Sequence, residues 1–294
     1  MPERKDVVDS PYLVPFDGGF RAAKAATAPP KSDADKDTSK RRLATQVEAL
    51  DELQKRLYAD NRHSVLLIFQ AMDAAGKDST IRAVLTGINP AGCQVVSFKR
   101  PSEEDLDHDF LWRCVRLLPE RGRIGVFNRS WYEEVLTVRV HPEYLAAQRL
   151  PWRPKQDQAL WQERFESVAD VEKHLARNGT VILKFWLNVS RDEQRKRLLS
   201  RLDEPEKNWK FESGDLTERA AWKDYTTAYE DLLNATSKPW APWYAIPADN
   251  KAYMRATVAG IIVARLQQLD LRYPELDAVD RARLAKLRKK LEND

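Results

Sequence analysis

The sequence predicts an α/β fold of three layers, a central parallel sheet with helices on both faces, and three observations carry that prediction. Five short apolar runs of strand character, HSVLLIFQ (63–70), QVVSF (94–98), RIGVFN (123–128), TVILKFWLNV (180–189) and WYAIPA (243–248), are each separated by enough chain for a helix. Alternation of that kind implies parallel strands joined by crossovers. Helical periodicity occupies the intervals, as in the stripe Trp161, Phe165, Val168 and Leu175. The first strand also leads into Gly76 and Lys77, after which a helical pattern runs from Asp78 to Leu85. Strand, loop and helix in that order are the setting a phosphate-binding loop requires.

Taken in order, residues 1–40 carry as many acids as bases, and APPKSDADKDTSK (28–40) has the composition of a solvated linker. An N-terminal arm, partly ordered at best, is expected there. Leu43, Val47, Leu50, Leu53 and Leu57 recur at helical spacing and predict a helix of about four turns covering one face of the sheet. A second stripe, Leu216, Trp222, Tyr225, Tyr229 and Leu232, predicts another long helix. Residues 41–275 therefore read as one domain, and ARLAKLRKKLEND, within 276–294, as a basic amphipathic C-terminal helix.

Composition narrows the function classes. The 294 residues are 43% apolar, enough for one substantial core. The longest apolar stretches, VLLIF and AGIIVA, are far too short to cross a bilayer, and the N-terminus lacks the apolar region of a secretory signal. A net charge of +4 does not announce nucleic-acid binding. Cys93 and Cys114 suggest core packing in a reducing cytoplasm rather than a disulfide framework. The four histidines lack metal-ligand spacing, and His108 and His141 are expected to be satisfied structurally.

The loop QAMDAAGKDST (70–80) departs twice from the usual phosphate-loop pattern, with Ala71 for the first glycine and Asp78 after Lys77 where a serine or threonine would hold magnesium. Its helix N-terminus still favours an anion, offered by the backbone of Ala74, Ala75 and Gly76, and Lys77 adds a point charge. Asp73 would repel phosphate unless a cation lay between them, so it is the expected magnesium ligand; Asp78 reads as a helix-start acid. The third strand ends in FNRS (127–130), where Asn128 offers a carbonyl oxygen but no charge and Arg129 would face transferring phosphate. Glu133 and Glu134, after Trp131 and Tyr132, are expected on the following helix, meeting either an acceptor or solvent. A basic segment, SRDEQRKRLLSRLDEPEKNWKF (190–211), places Arg197 and Arg201 on one helix face, with Leu198 and Leu202 anchoring the adjacent one. Nucleotide kinases carry a lid in that position, here expected over about 190–215, which closes on phosphate and excludes water.

These motifs together resemble the second family of polyphosphate kinases in its class III form. The likeness rests on QAMDAAGKDSTI (70–81), GINPAGCQVVSFKRPS (87–102), HDFLWR (108–113), GVFNRSWYEEVLTVRVHPE (125–143), RLDEPEKNWKF (201–211) with GDL (214–216), and APWYAIPADNKAYMR (241–255). It implies a P-loop kinase fold with a helical lid, and magnesium-assisted phosphate transfer between inorganic polyphosphate and AMP, ADP or ATP. Manganese is the alternative metal, guanine nucleotides are further candidate substrates, and a homodimer or homotetramer is the implied assembly. The resemblance puts the family's loop aspartate at Asp73, its loop lysine at Lys77 and its arginine at Arg129. It puts nucleotide contacts at Arg113, Asn128, Glu133 and Arg139, and phosphate contacts at Lys99, Arg197, Arg201 and Lys210. Two other readings predict different behaviour: an ATP-dependent kinase for a small metabolite, and a non-catalytic polyanion binder kept in view by the basic C-terminal helix.

Overall fold

A computed structural model of the chain describes residues 7–151, 154, 157–209, 211 and 214–294. All five predicted strands form: β1 Ser64–Gln70, β2 Cys93–Ser97, β3 Ile124–Asn128, β4 Thr180–Asn188 and β5 Trp243–Pro247. They make one parallel sheet in the order β2-β3-β1-β4-β5. With β1 central, its Phe69 lies opposite Asn128 on one side and Phe185 on the other. That register brings the end of β3 alongside the loop that follows β1.

The longer helices are α1 Lys36–Asp60, α2 Lys77–Val84, α3 Asp157–Arg177, α4 Arg191–Asp203, α5 Gly214–Ala220, α6 Trp222–Thr236, α7 Lys251–Gln267 and α8 Ala278–Leu291. Successive side chains of a strand point to opposite faces, so β1 serves two cores. Val65, Leu67 and Phe69 pack with α1, α2 and α7, through residues such as Leu50, Leu57, Ile81 and Ile262. Leu66 and Ile68 pack with α3 and α6, through Phe165, Val168, Leu232 and Leu233. No described helix is long and apolar enough to cross a membrane.

Several elements differ from the sequence reading. Helix α1 is 25 residues long rather than about four turns, because the Asp35 side chain caps the Thr38 amide and the left-handed Asn61 closes the other end. The segment expected to be a loose arm runs across the edge of β5. Val14 donates to the Trp243 carbonyl, Ala245 donates to that of Tyr12, and Val14 is fully buried. Covering that edge removes a row of open backbone groups. The stripe from Leu216 to Leu232 is broken at Ala221 into α5 and α6, with Leu216 exposed and Tyr229 and Leu232 in the core. Leu198 anchors α4 as expected, whereas Leu202 is exposed. Helix α8 has no buried residue.

One buried ion pair stands under the site. Lys184 in β4 and Glu172 in α3 are both fully buried, 2.5 Å apart, and the Tyr132 hydroxyl donates to Glu172 at 2.7 Å. Lys184 also donates to the Tyr132 hydroxyl and the Thr236 carbonyl. Burial pushes the Lys184 ammonium down to about 8 and the Glu172 carboxyl up. Removing one partner strands the other charge, so Lys184→Met should cost about 3–5 kcal/mol in a denaturant titration. The double change with Glu172→Leu should recover most of that loss.

Candidate active site

The site is assembled from three strand ends. At the end of β1 the chain turns through Ala71–Gly76 into α2, and the turn needs left-handed backbone at Ala74 (φ 58°) and Gly76 (φ 106°). Glycine adopts that conformation freely; alanine there is strained. A conformation of that kind persists only where the surroundings hold it, and they do. Buried Arg197 of α4 donates to the carbonyls of Ala74 and Ala75 at 3.2 and 2.7 Å, and to those of Ala248 and Asp249 at 2.6 and 3.1 Å. Gln194, one helical turn earlier, donates to the Asp73 carbonyl at 3.0 Å. Lys77 arches back over the loop to the Ala71 carbonyl at 2.8 Å.

At the end of β3, Arg129 is also left-handed (φ 65°), and its amide extends the ladder by donating to Phe69. Its guanidinium bridges two carboxylates, reaching Asp73 Oδ1 at 3.3 Å and Glu133 Oε2 at 3.4 Å. Thr137 fixes Glu133 by donating to the same Oε2 at 2.7 Å. Asn128 is buried, its Nδ2 donating to Asp78 and to the Ser97 hydroxyl, which leaves its carbonyl oxygen as a further acceptor. Asp78 is thus more than a helix-start acid: it orients Asn128.

These groups open on a cleft of about 760 Å³. It is lined both by charged residues, Asp73, Asp78, Arg129 and Glu133 among them, and by the apolar side chains of Phe98, Pro101, Leu106, Val138 and Tyr144. Volume and mixed lining suit a ligand with a flat apolar part and a charged tail.

The residues singled out from sequence divide accordingly. Asp73, Lys77, Arg129, Asn128 and Glu133 converge on the loop, and Lys99 and Arg201 line the cleft, Arg201 also bonding Asp215 of α5 at 3.0 Å. Arg197 faces the other way: its donors are spent on loop and β5–α7 carbonyls, so it shapes the phosphate loop instead of reaching into the cleft. Arg113 is buried, donating to the Lys99 carbonyl at 2.8 Å and lying 3.8 Å from buried Glu134. Its contacts position the cleft wall. Arg139 pairs with Asp231 of α6 at 2.6 Å and is not among the cleft-lining residues. Lys210 lies outside the described residues. His141 sits between Glu143 and Glu218, and His108 stacks on Trp112, so each has protein partners. Gln194, Glu218, Arg219 and Tyr225 escaped the sequence reading, because polar residues on a charged helix carry no signal of what they face. The i, i+3 spacing of Gln194 and Arg197 was the one available hint.

Metal fit is set by the oxygen donors. Asp73, Asp78 and the Asn128 carbonyl are hard ligands of the kind magnesium prefers. No cluster of three or more His, Cys, Asp or Glu poised for a metal occurs among the described residues. The set therefore suits an ion shared with bound phosphates and water, not one caged by protein.

A parallel sheet in this order, with a lysine-bearing loop at a helix start and an arginine between two carboxylates, defines a P-loop kinase-like phosphotransferase. The family model described as Polyphosphate kinase 2 matches residues 33–274, and the chain belongs to that family. It is 57% identical over 249 residues to the ADP-polyphosphate phosphotransferase of Rhodopseudomonas palustris, covering 85% of this chain and 86% of that one. It is 44% identical to the AMP/ADP-polyphosphate phosphotransferase of Meiothermus ruber, covering 88% and 87%. The crystal structure of polyphosphate kinase 2 from Arthrobacter aurescens superposes with a TM-score of 0.82 at 38% identity, covering 93% of this chain and 96% of that one.

Proposed function

We propose that this protein transfers phosphate between inorganic polyphosphate and adenine nucleotides, AMP or ADP, with magnesium, by in-line displacement. The observation that carries the reading is the Asp73–Arg129–Glu133 bridge beside the Lys77 loop, on a cleft lined by both charged and apolar residues. The polyphosphate end would rest on the loop backbone and Lys77. Apolar Phe98, Leu106 and Tyr144 would take the base, orienting the nucleotide phosphate toward Arg129. Residues over about 190–215, which include α4 and the first residues of α5, would act as the lid that excludes water. Magnesium, held by Asp73 with help from the Asn128 carbonyl oxygen, would supply charge neutralisation between two repelling anions. Arg129 is then drawn from its carboxylate partners onto the transferring phosphate, where its fork of donors matches three equatorial oxygens.

The test is purified protein with magnesium, polyphosphate and AMP or ADP, without ATP, read by nucleotide chromatography. Formation of ADP and ATP supports the proposal; no product with either acceptor rejects it in favour of an ATP-dependent kinase. Binding without turnover would favour the polyanion binder.

A pH dependence follows. Burial, then the neighbouring Arg129 charge, pushes the Lys77 ammonium down to about 8. The charged form is the one that binds phosphate, so donor capture is complete below that pH and lost as pH rises through it. The free enzyme sets kcat/KM, which for polyphosphate should fall by about tenfold per pH unit above the midpoint. Lys77→Arg should move that fall out of the measurable range.

A further inference from the structure

Gln194 is 2% exposed and joins two parts of the molecule through one amide. Its Nε2 donates to the Asp73 carbonyl at 3.0 Å, and its Oε1 accepts from Arg219 Nη1 of α5 at 2.8 Å. The same Arg219 nitrogen donates to the Arg191 carbonyl at 2.8 Å, which ties α5 to the start of α4. The two contacts fix the amide's orientation without ambiguity, since only its nitrogen can donate and only its oxygen can accept. A buried amide with both ends engaged is held firmly, because leaving either partner unmade carries the full desolvation penalty. What it holds is the residue just before left-handed Ala74, a backbone that does not stay in place by its own preference.

We infer that Gln194, oriented by Arg219, is a positioning residue for Asp73: the seating of α5 is transmitted through one amide to the carboxylate that faces the transferring phosphate. This rests on the proposed polyphosphate reaction for its kinetic consequence, though the hydrogen-bond chain itself stands apart from it. Gln194 touches no substrate in this scheme. It sets where the Asp73 backbone lies, and with Arg197 gives α4 two successive grips on the loop.

Gln194→Glu separates this role from simple packing. Glutamate has the same shape and keeps the Arg219 contact as an ion pair, but it turns an acceptor toward the Asp73 carbonyl. Three readouts are taken on wild type, Gln194→Glu, Gln194→Met, Arg219→Met and the double variant Gln194→Met/Arg219→Met: thermal melting, turnover with polyphosphate and AMP, and amide hydrogen exchange of the peptide covering 70–80. Gln194→Glu should melt below wild type yet remain folded at the assay temperature, show faster exchange in that peptide, and lose about tenfold in kcat with less change in the donor KM. Gln194→Met, without either bond, serves if the glutamate variant fails to fold and should show the same loop exchange. Combining Gln194→Met with Arg219→Met should cost no more in kcat than Gln194→Met alone, because both act through one bond. Wild-type exchange and kcat within about twofold in both Gln194 variants, or additive losses in the double, would overturn the assignment. A wild-type protein inactive with polyphosphate would count against the proposed reaction alone, since loop exchange still decides the positioning role.

Discussion

Replacing Asp73 by asparagine should lower turnover by about 100- to 1000-fold at saturating donor while leaving the melting temperature nearly unchanged. The substitution keeps the side chain's shape and an oxygen at the position that accepts from Arg129 Nη2 at 3.3 Å. What it removes is one negative charge between the phosphate loop and Arg129. Without that charge a divalent ion is held weakly, so the residual activity should need a much higher magnesium concentration. Asp78→Asn is the internal comparison. It also loses a carboxylate, but its amide oxygen can still accept from Asn128 Nδ2, so its cost should stay below about tenfold. A fully active Asp73→Asn enzyme would remove Asp73 from the chemistry.

The second large effect concerns Arg197, where stability and activity should fall together. Its guanidinium is buried and gives donors to four carbonyls and to Glu193 at 2.9 Å. Methionine fills the space and supplies no donor. Hydrogen bonds to a charged group contribute about 1.5–3 kcal/mol each but do not add, so Arg197→Met should destabilise by about 3–5 kcal/mol. Turnover, measured well below the new melting point, should drop by about 100-fold, because a loop misplaced by an ångström loses the aligned geometry of in-line transfer. Lysine should not rescue, since a point charge on a flexible stem cannot serve four diverging carbonyls at once. Were stability to change by less than about 1 kcal/mol while turnover collapsed, Arg197 would be acting on substrate and not on the loop.

Part of this site was legible beforehand because its signals are local. The glycine-lysine pair after an apolar strand, the acid at position 73 and the FNRS strand end each announce themselves within a few residues, and the structure brings Asp73, Lys77, Asn128 and Arg129 together. Arg197 and Arg139 were harder. On a sequence they are basic residues in suggestive motifs; in space one spends its donors on backbone carbonyls and the other on Asp231. Arg219 gave no warning, and Gln194 none beyond its spacing from Arg197, both being ordinary polar residues on charged helices.

Sequence alone determined the five strands, their alternation with helices, the phosphate loop and the family resemblance, because periodicity and turn chemistry act over short separations. Tertiary structure decided the strand order, the docking of residues 8–14 on β5, the break between α5 and α6, and which cations face the cleft. An arginine looks the same in sequence whether its five donors meet phosphate or carbonyls. Only the packing of α4 against a strained loop more than a hundred residues away puts the Ala74 and Ala75 carbonyls at 3.2 and 2.7 Å from Arg197.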